Sequence, residues 1–119
     1  MDIKEFLNHI KNYSVEIEAL QAESEYMRRI DTAEARLRAR ENDKKIAKMI
    51  GEQIAVSLAV EKLSDPLARA VMKRRYVLGE TWRKIARESK LGERNLHYIK
   101  QSCLEELETL LKKELEKEG

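Results

Sequence analysis

The sequence predicts an all-α protein, with an N-terminal helical hairpin or coiled coil over residues 1–63. A C-terminal helix-turn-helix with a long last helix follows over residues 64–119. Three observations carry this reading. Apolar residues recur at intervals of three and four along most of the chain, the spacing of a helix face. No stretch sustains the period-two alternation of β-branched residues that a strand needs. Charged residues make up 39% and apolar residues 42% of 119 positions, with one proline and four glycines, a balance suited to helices with exposed charged faces. Aromatic residues are only 5%, so the core is expected to be aliphatic and modest, and a second copy of the chain is the expected source of further stability.

From Ile3, apolar residues fall at 3, 6, 7, 10, 13, 17, 20, 27 and 30. Ile3, Ile10 and Ile17 take heptad a positions and Phe6, Tyr13, Leu20 and Met27 take d positions, while Ser24 interrupts the a series. The expected role of this face is self-association as a homodimer, with packing inside the chain's own domain as the plain alternative. The following stretch, DTAEARLRARENDKK, offers Leu37 and small alanines for packing. Its basic residues Arg36, Arg38, Arg40, Lys44 and Lys45 are read first as a solvated face beside acidic neighbours, with a DNA contact as the alternative. A turn near Asn42-Asp43 is expected to cap a helix from about Lys44 to Leu63. That helix carries a broad stripe of Ile46, Met49, Ile50, Ile54, Leu58 and Val60. Gly51 inside it costs about 1 kcal/mol relative to Ala and is expected to admit close helix packing.

Ser64-Asp65-Pro66 marks a boundary: Asp65 suits an N-cap and Pro66 the first helical turn, where no amide donor is needed. Leu67, Ala70, Val71 and Val77, with Tyr76, are expected on one inner face, and Gly79 ends the helix in the left-handed conformation. Thr81 starts a second helix with Trp82, Ile85 and Ala86 inward. After a turn at about Ser89-Lys90-Leu91, Gly92 begins the long helix of Leu96, Ile99, Cys103, Leu104, Leu107, Leu111 and Leu115.

Charge is concentrated on this module. Residues 66–101 hold ten Lys/Arg against three Glu, a net +7, whereas the whole chain is only +2. A basic patch confined to one module is the electrostatic footprint of nucleic-acid binding, set against the blander reading of a solvated charged face. With Leu96, Ile99, Cys103 and Leu107 inward, Glu93, Arg94, His97, Lys100 and Gln101 project outward. Arg94 suits a bidentate pair to guanine, Asn95 or Gln101 suits adenine, and Glu93 accepts from cytosine, with His97 a further base contact. Phosphate contacts are expected from Thr81, Arg83, Lys84, Arg87, Lys90, Tyr98 and Lys100. Arg83 and Lys84 stand in the first turn after Thr81, where a helix dipole disfavours cations, and a phosphate across that terminus would reverse the sign. One of Arg74 and Arg75 is expected to pair internally with Glu88, and Trp82 is expected to anchor the core.

No enzyme, metal or cofactor is expected. His9 and His97 are far apart in sequence, Cys103 lies six residues beyond His97 on another face, and no Gly-rich phosphate loop or nucleophile elbow occurs. The single cysteine fits a reducing compartment, no apolar run spans a bilayer, and the first residues lack the layout of a signal peptide. The expected location is the bacterial cytoplasm, on the nucleoid.

The pattern Arg75-Tyr76, Gly79, Thr81-Trp82, Ile85-Ala86, Leu91, Leu96, Ile99, Leu104, Leu107 resembles region 4 of bacterial sigma factors. With the helical N-terminal half, the chain is similar to small phage transcriptional regulators of the ArpU/RinA type, sigma-like activators of late genes. The motif covers about forty residues. It departs from the family where Arg83 and Lys84 replace acidic residues, Lys90 replaces the turn glycine and Gly92 replaces a Ser/Thr cap. The resemblance implies a dimeric regulator that binds promoter DNA with or through RNA polymerase. The alternative of another class is a phage small-terminase-like packaging protein, although such proteins commonly place the DNA module first. A third reading has the module contact polymerase or another protein and no DNA.

Overall fold

The computed structural model describes residues 1–118, all of whose regular elements are helical. In chain order they are α1 (Ile3–Ile10), α2 (Tyr13–Ile30), α3 (Ala33–Glu61), α4 (Pro66–Met72), α5 (Trp82–Ser89), α6 (Glu93–Leu110) and α7 (Lys112–Glu118), with a π-helical turn over Lys73–Val77 after α4. None of the helices is long and apolar enough to cross a membrane.

The heptad series from Ile3 is consumed inside the chain. Ile3, Phe6, Leu7 and Ile10 pack with Leu104, Leu107, Leu111 and Leu115 in the main core, which also takes Val56 and Val60 from α3, Leu63 just beyond its end, and Met72 and Tyr76 from the following segment. The α1 part of the face expected to self-associate is therefore already covered, while on α2 Leu20 and Met27 are half-buried and Ile30 is exposed. Continuous helix from Ile3 to Ile30 is not observed either: at Lys11-Asn12 the backbone stays near the right-handed region but α1 ends, and the Asn12 amide turns back to the Asn8 carbonyl. The bend sends α1 onto the C-terminal helices and α2 onto α3.

α2 and α3 run antiparallel. Asp31 closes α2 in the left-handed region (φ 54°), and Thr32 caps α3, its hydroxyl accepting from the Ala35 amide at 3.1 Å. Arg36 ties down the link by donating to the Asp31 carboxylate at 2.6 Å. Small and polar residues fill the seam: Ser24, Ala35, Ala39 and Asn42 are all buried. Asn42 overturns the expected turn at Asn42-Asp43. Its amide donates to the Glu23 carboxylate at 2.6 Å, so the residue that looks like a cap is used across the seam, and α3 runs unbroken for 29 residues.

The expected apolar stripe of α3 is also revised. Val56, Ala59, Val60 and Leu63 face the core, whereas Ile50, Ile54 and Leu58 are 40%, 54% and 59% exposed. Gly51 admits no close packing within the chain, since nothing lies within 4 Å of a side chain built there.

Asp65 caps α4 through its carboxylate on the Leu67 amide, with Pro66 in the first turn, as the sequence requires. The buried face differs: Ala68, Val71, Met72 and Tyr76 point inward, while Leu67 and Val77 are exposed. The adjacent pairs Leu67-Ala68 and Val71-Met72 make either phase apolar, and the extra residue of the π turn fixes where Tyr76 enters the core. The long last helix expected from Gly92 divides at Leu111, which leaves helical geometry at φ −103° and ψ 16° while its side chain stays buried.

Candidate nucleic-acid interface

Local chemistry sets α5 and α6. Gly79 adopts φ 73° after the π turn, and Thr81 caps α5, its hydroxyl accepting from the Lys84 amide at 3.1 Å. Lys90 stands in the left-handed region at φ 63°, a conformation that costs a non-glycine residue about 1–2 kcal/mol, and Gly92 enters α6 without a side-chain cap. Ile85 and Leu96 are fully buried and join Val71 in a second apolar cluster that holds α5 against α6.

Trp82 is the hinge-pin between the two clusters. It contacts both, takes Tyr76 edge-on at a centroid distance of 6.3 Å, and carries the His97 ring at 5.2 Å. The Arg75 guanidinium sits over it at 5.1 Å from the ring centroid and donates to the Glu80 carbonyl at 3.0 Å. Trp82 is thus an anchor, as expected, and His97 is exposed yet tethered on one side.

Arg74 bridges the carboxylates of Glu80 and Glu88, meeting the expected internal pair with Glu88. Its hydrogen bond to Glu80, then that to Glu88, raises the Arg74 pKa further, and the same Arg74 bond holds the Glu80 carboxyl below its ordinary value. Lys84 also reaches Glu80 at 3.2 Å. The conflict of a cation in the first turn of α5 is thereby partly relieved within the chain at Lys84, though not at Arg83. Lys73 pairs with Glu61, and Arg69 donates to the Leu63 carbonyl at 2.7 Å.

The outward cations are arranged differently. Arg83 and Arg87 are one helical turn apart on the exposed face of α5, Lys90 occupies the turn, and Arg94 follows in α6; all four are exposed. None of them forms an ion pair with a described residue. A step of about 100° per residue centres the exposed face of α6 on Arg94, Tyr98 and Gln101, with Glu93 and His97 on one flank and Asn95 on the other. Tyr98 is 74% exposed, a large aromatic surface presented to solvent. Lys100 is half-buried at the edge of this face. Burial, and secondarily the Arg75 charge, lowers its pKa.

No family model, characterised protein or solved structure matches this chain. Cys103 offers no chemistry: its thiol is buried, and burial pushes its pKa up to about 11. Among the described residues no three His, Cys, Asp or Glu side chains gather where a metal ion would be held.

Proposed function

We propose that α5, the Lys90 turn and α6 act as a helix-turn-helix of the sigma region-4 type that reads duplex DNA. The chain is then a phage- or prophage-type transcriptional regulator, working as a homodimer at promoters with or through RNA polymerase. The observation that carries the reading is a division of labour among cations. Arg69, Lys73, Arg74, Arg75 and Lys84 are engaged within the chain, whereas Arg83, Arg87, Lys90 and Arg94 stand outward without an acidic partner among the described residues. A DNA backbone supplies the missing anions, and its counterion release is the driving force.

In this account Arg83, Arg87 and Lys90, with Thr81, Tyr98 and Lys100, position the module on phosphates. Lys84 contributes from its pair with Glu80. Arg94 and Gln101 meet base edges in the major groove, flanked by Glu93, Asn95 and His97. Trp82 keeps α5 and α6 at a fixed angle, so the phosphate contacts set the register for base contacts.

Selection of purified protein against a random duplex library at near-physiological salt tests this. The expected result is an enriched motif, and Arg94→Ala is expected to relax discrimination at one base pair by about 1–3 kcal/mol. Binding without enrichment would favour packaging or specificity supplied by polymerase, and no binding would favour a protein partner.

A further inference from the structure

We propose that the exposed face of α3 between Arg40 and Lys62 is the dimer interface, packed antiparallel on α3 of a second copy. The two-fold axis crosses the helix between Glu52 and Gln53. Ile50, Ile54 and Leu58 form an unpartnered apolar row on this face, and Ala47, Gly51 and Ala55 run beside them.

Two features of the sequence on this face select the occupant. The first is shape. About that axis Ile50 opposes Ala55, Gly51 opposes Ile54 and Ala47 opposes Leu58, so every bulky residue meets a small one. The hollows to receive them exist. Ala47 and Gly51 line one with Glu114 and Lys117 of α7, while Ala55 and Leu58 line the next with Leu110. Gly51, which has open space around it within the chain, gains a purpose as the close-approach point.

The second feature is charge. The same register sets Asp43 against Lys62 and Lys44 against Glu61, each pair occurring twice by symmetry. Sliding by one residue opposes Asp43 to Glu61 in one direction and Lys44 to Lys62 in the other, and a parallel in-register pairing sets every charge against itself. Asp43 and Glu61 also pair within the chain, with Arg28 and Lys73, but a carboxylate has acceptor sites for a second cation. The α1 part of the face that heptad reading nominates is buried in the chain's own core, and on α2 Ile17 is buried and Leu20 and Met27 are half-buried, whereas Ile50, Ile54 and Leu58 of α3 are exposed.

This proposal does not rest on the DNA reading, and the two fail separately. Sedimentation equilibrium of the full chain without DNA is expected to return two copies at micromolar concentration. Ile54→Asp is expected to return one copy with unchanged helical content and a melting temperature that no longer rises with protein concentration, since Ile54 is 54% exposed in the single chain. Lys44→Glu is expected to weaken the dimer severalfold, and adding Glu61→Lys is expected to restore it. A single copy for the unmodified chain, a larger closed ring, an intact Ile54→Asp dimer, or failure of the second charge change to restore association would overturn the proposal.

Discussion

The α2–α3 pair and the α5–α6 unit carry similar densities of arginine, but most are paired in the first and, among the described residues, none in the second. In the pair, four of the five arginines reach acids, Arg28 meeting Asp43, Arg36 Asp31, Arg38 Glu23 and Arg29 Glu25, while Arg40 forms no ion pair among the described residues. In α5–α6, Arg83, Arg87 and Arg94 have no such partner, although Glu80 and Glu88 lie close in sequence. Arg74 has taken both of those carboxylates from the inner side. Exposed ion pairs contribute only about 0–1 kcal/mol each, so leaving outward cations uncompensated costs the fold little. What it produces is a net positive charge on one surface, despite Glu93 on its flank, which matters for an anionic partner and not for stability.

The largest expected effect separates the two regions by how they cohere. Ile85→Ala is expected to lower unfolding free energy by about 2–4 kcal/mol in denaturant melts, because Ile85 is fully buried in the small cluster that joins α5 to α6. The α2–α3 seam should fail by the reverse change. Ala39→Leu overpacks a position lying against Ser24 and is expected to cost about 1–3 kcal/mol. If Ala39→Leu proved neutral, the seam would not be the close contact that Ser24 and Ala39 describe.

Lys90→Gly sharpens the comparison further by splitting strain from charge. Removing a non-glycine residue from φ 63° is expected to stabilise the chain by about 1 kcal/mol while weakening DNA binding. Stabilisation with unchanged DNA affinity would remove Lys90 from the phosphate set.

Acid is expected to have the smallest and most evenly shared effect. The Asn42 hydrogen bond, then that of Arg38, holds Glu23 below the ordinary carboxyl value of 4.5, and the Arg74 bond does the same for Glu80. A depressed folded pKa gives stability that is present above 4.5 and lost as pH falls through the lowered values. The melting temperature is therefore expected to fall over that window, and Arg74→Gln is expected to reduce the part of the fall that comes from Glu80.

Local chemistry was legible in the sequence wherever a residue acts on its neighbours. Asp65 and Thr81 cap the helices that follow them, and Gly79 takes positive φ where the helix stops, all at the expected positions. The all-helical class followed from spacing and composition in the same way. What escaped was decided by distant partners. Asn42 has the chemistry of a cap and is used by Glu23 nineteen residues away. The phase of α4 turned on a π turn that no local signal announces, and Ile50, Ile54 and Leu58 match a core stripe in pattern yet face solvent. At the candidate site, the exposed positions of Arg94, His97 and Gln101 followed from helix periodicity. The tether of His97 to Trp82 needed the fold, whereas the pair of Glu80 with Lys84, four residues apart, is a spacing the sequence already displays.

The most direct measurement is the salt dependence of duplex DNA binding by fluorescence anisotropy, comparing Arg83→Ala/Arg87→Ala with Arg36→Ala/Arg38→Ala. The first pair is expected to weaken binding to every sequence and to reduce the slope of log affinity against log salt by about 2, while the second leaves both unchanged. Equal behaviour of the two double variants would contradict the claim that the unpaired cations of α5–α6 are the DNA contact.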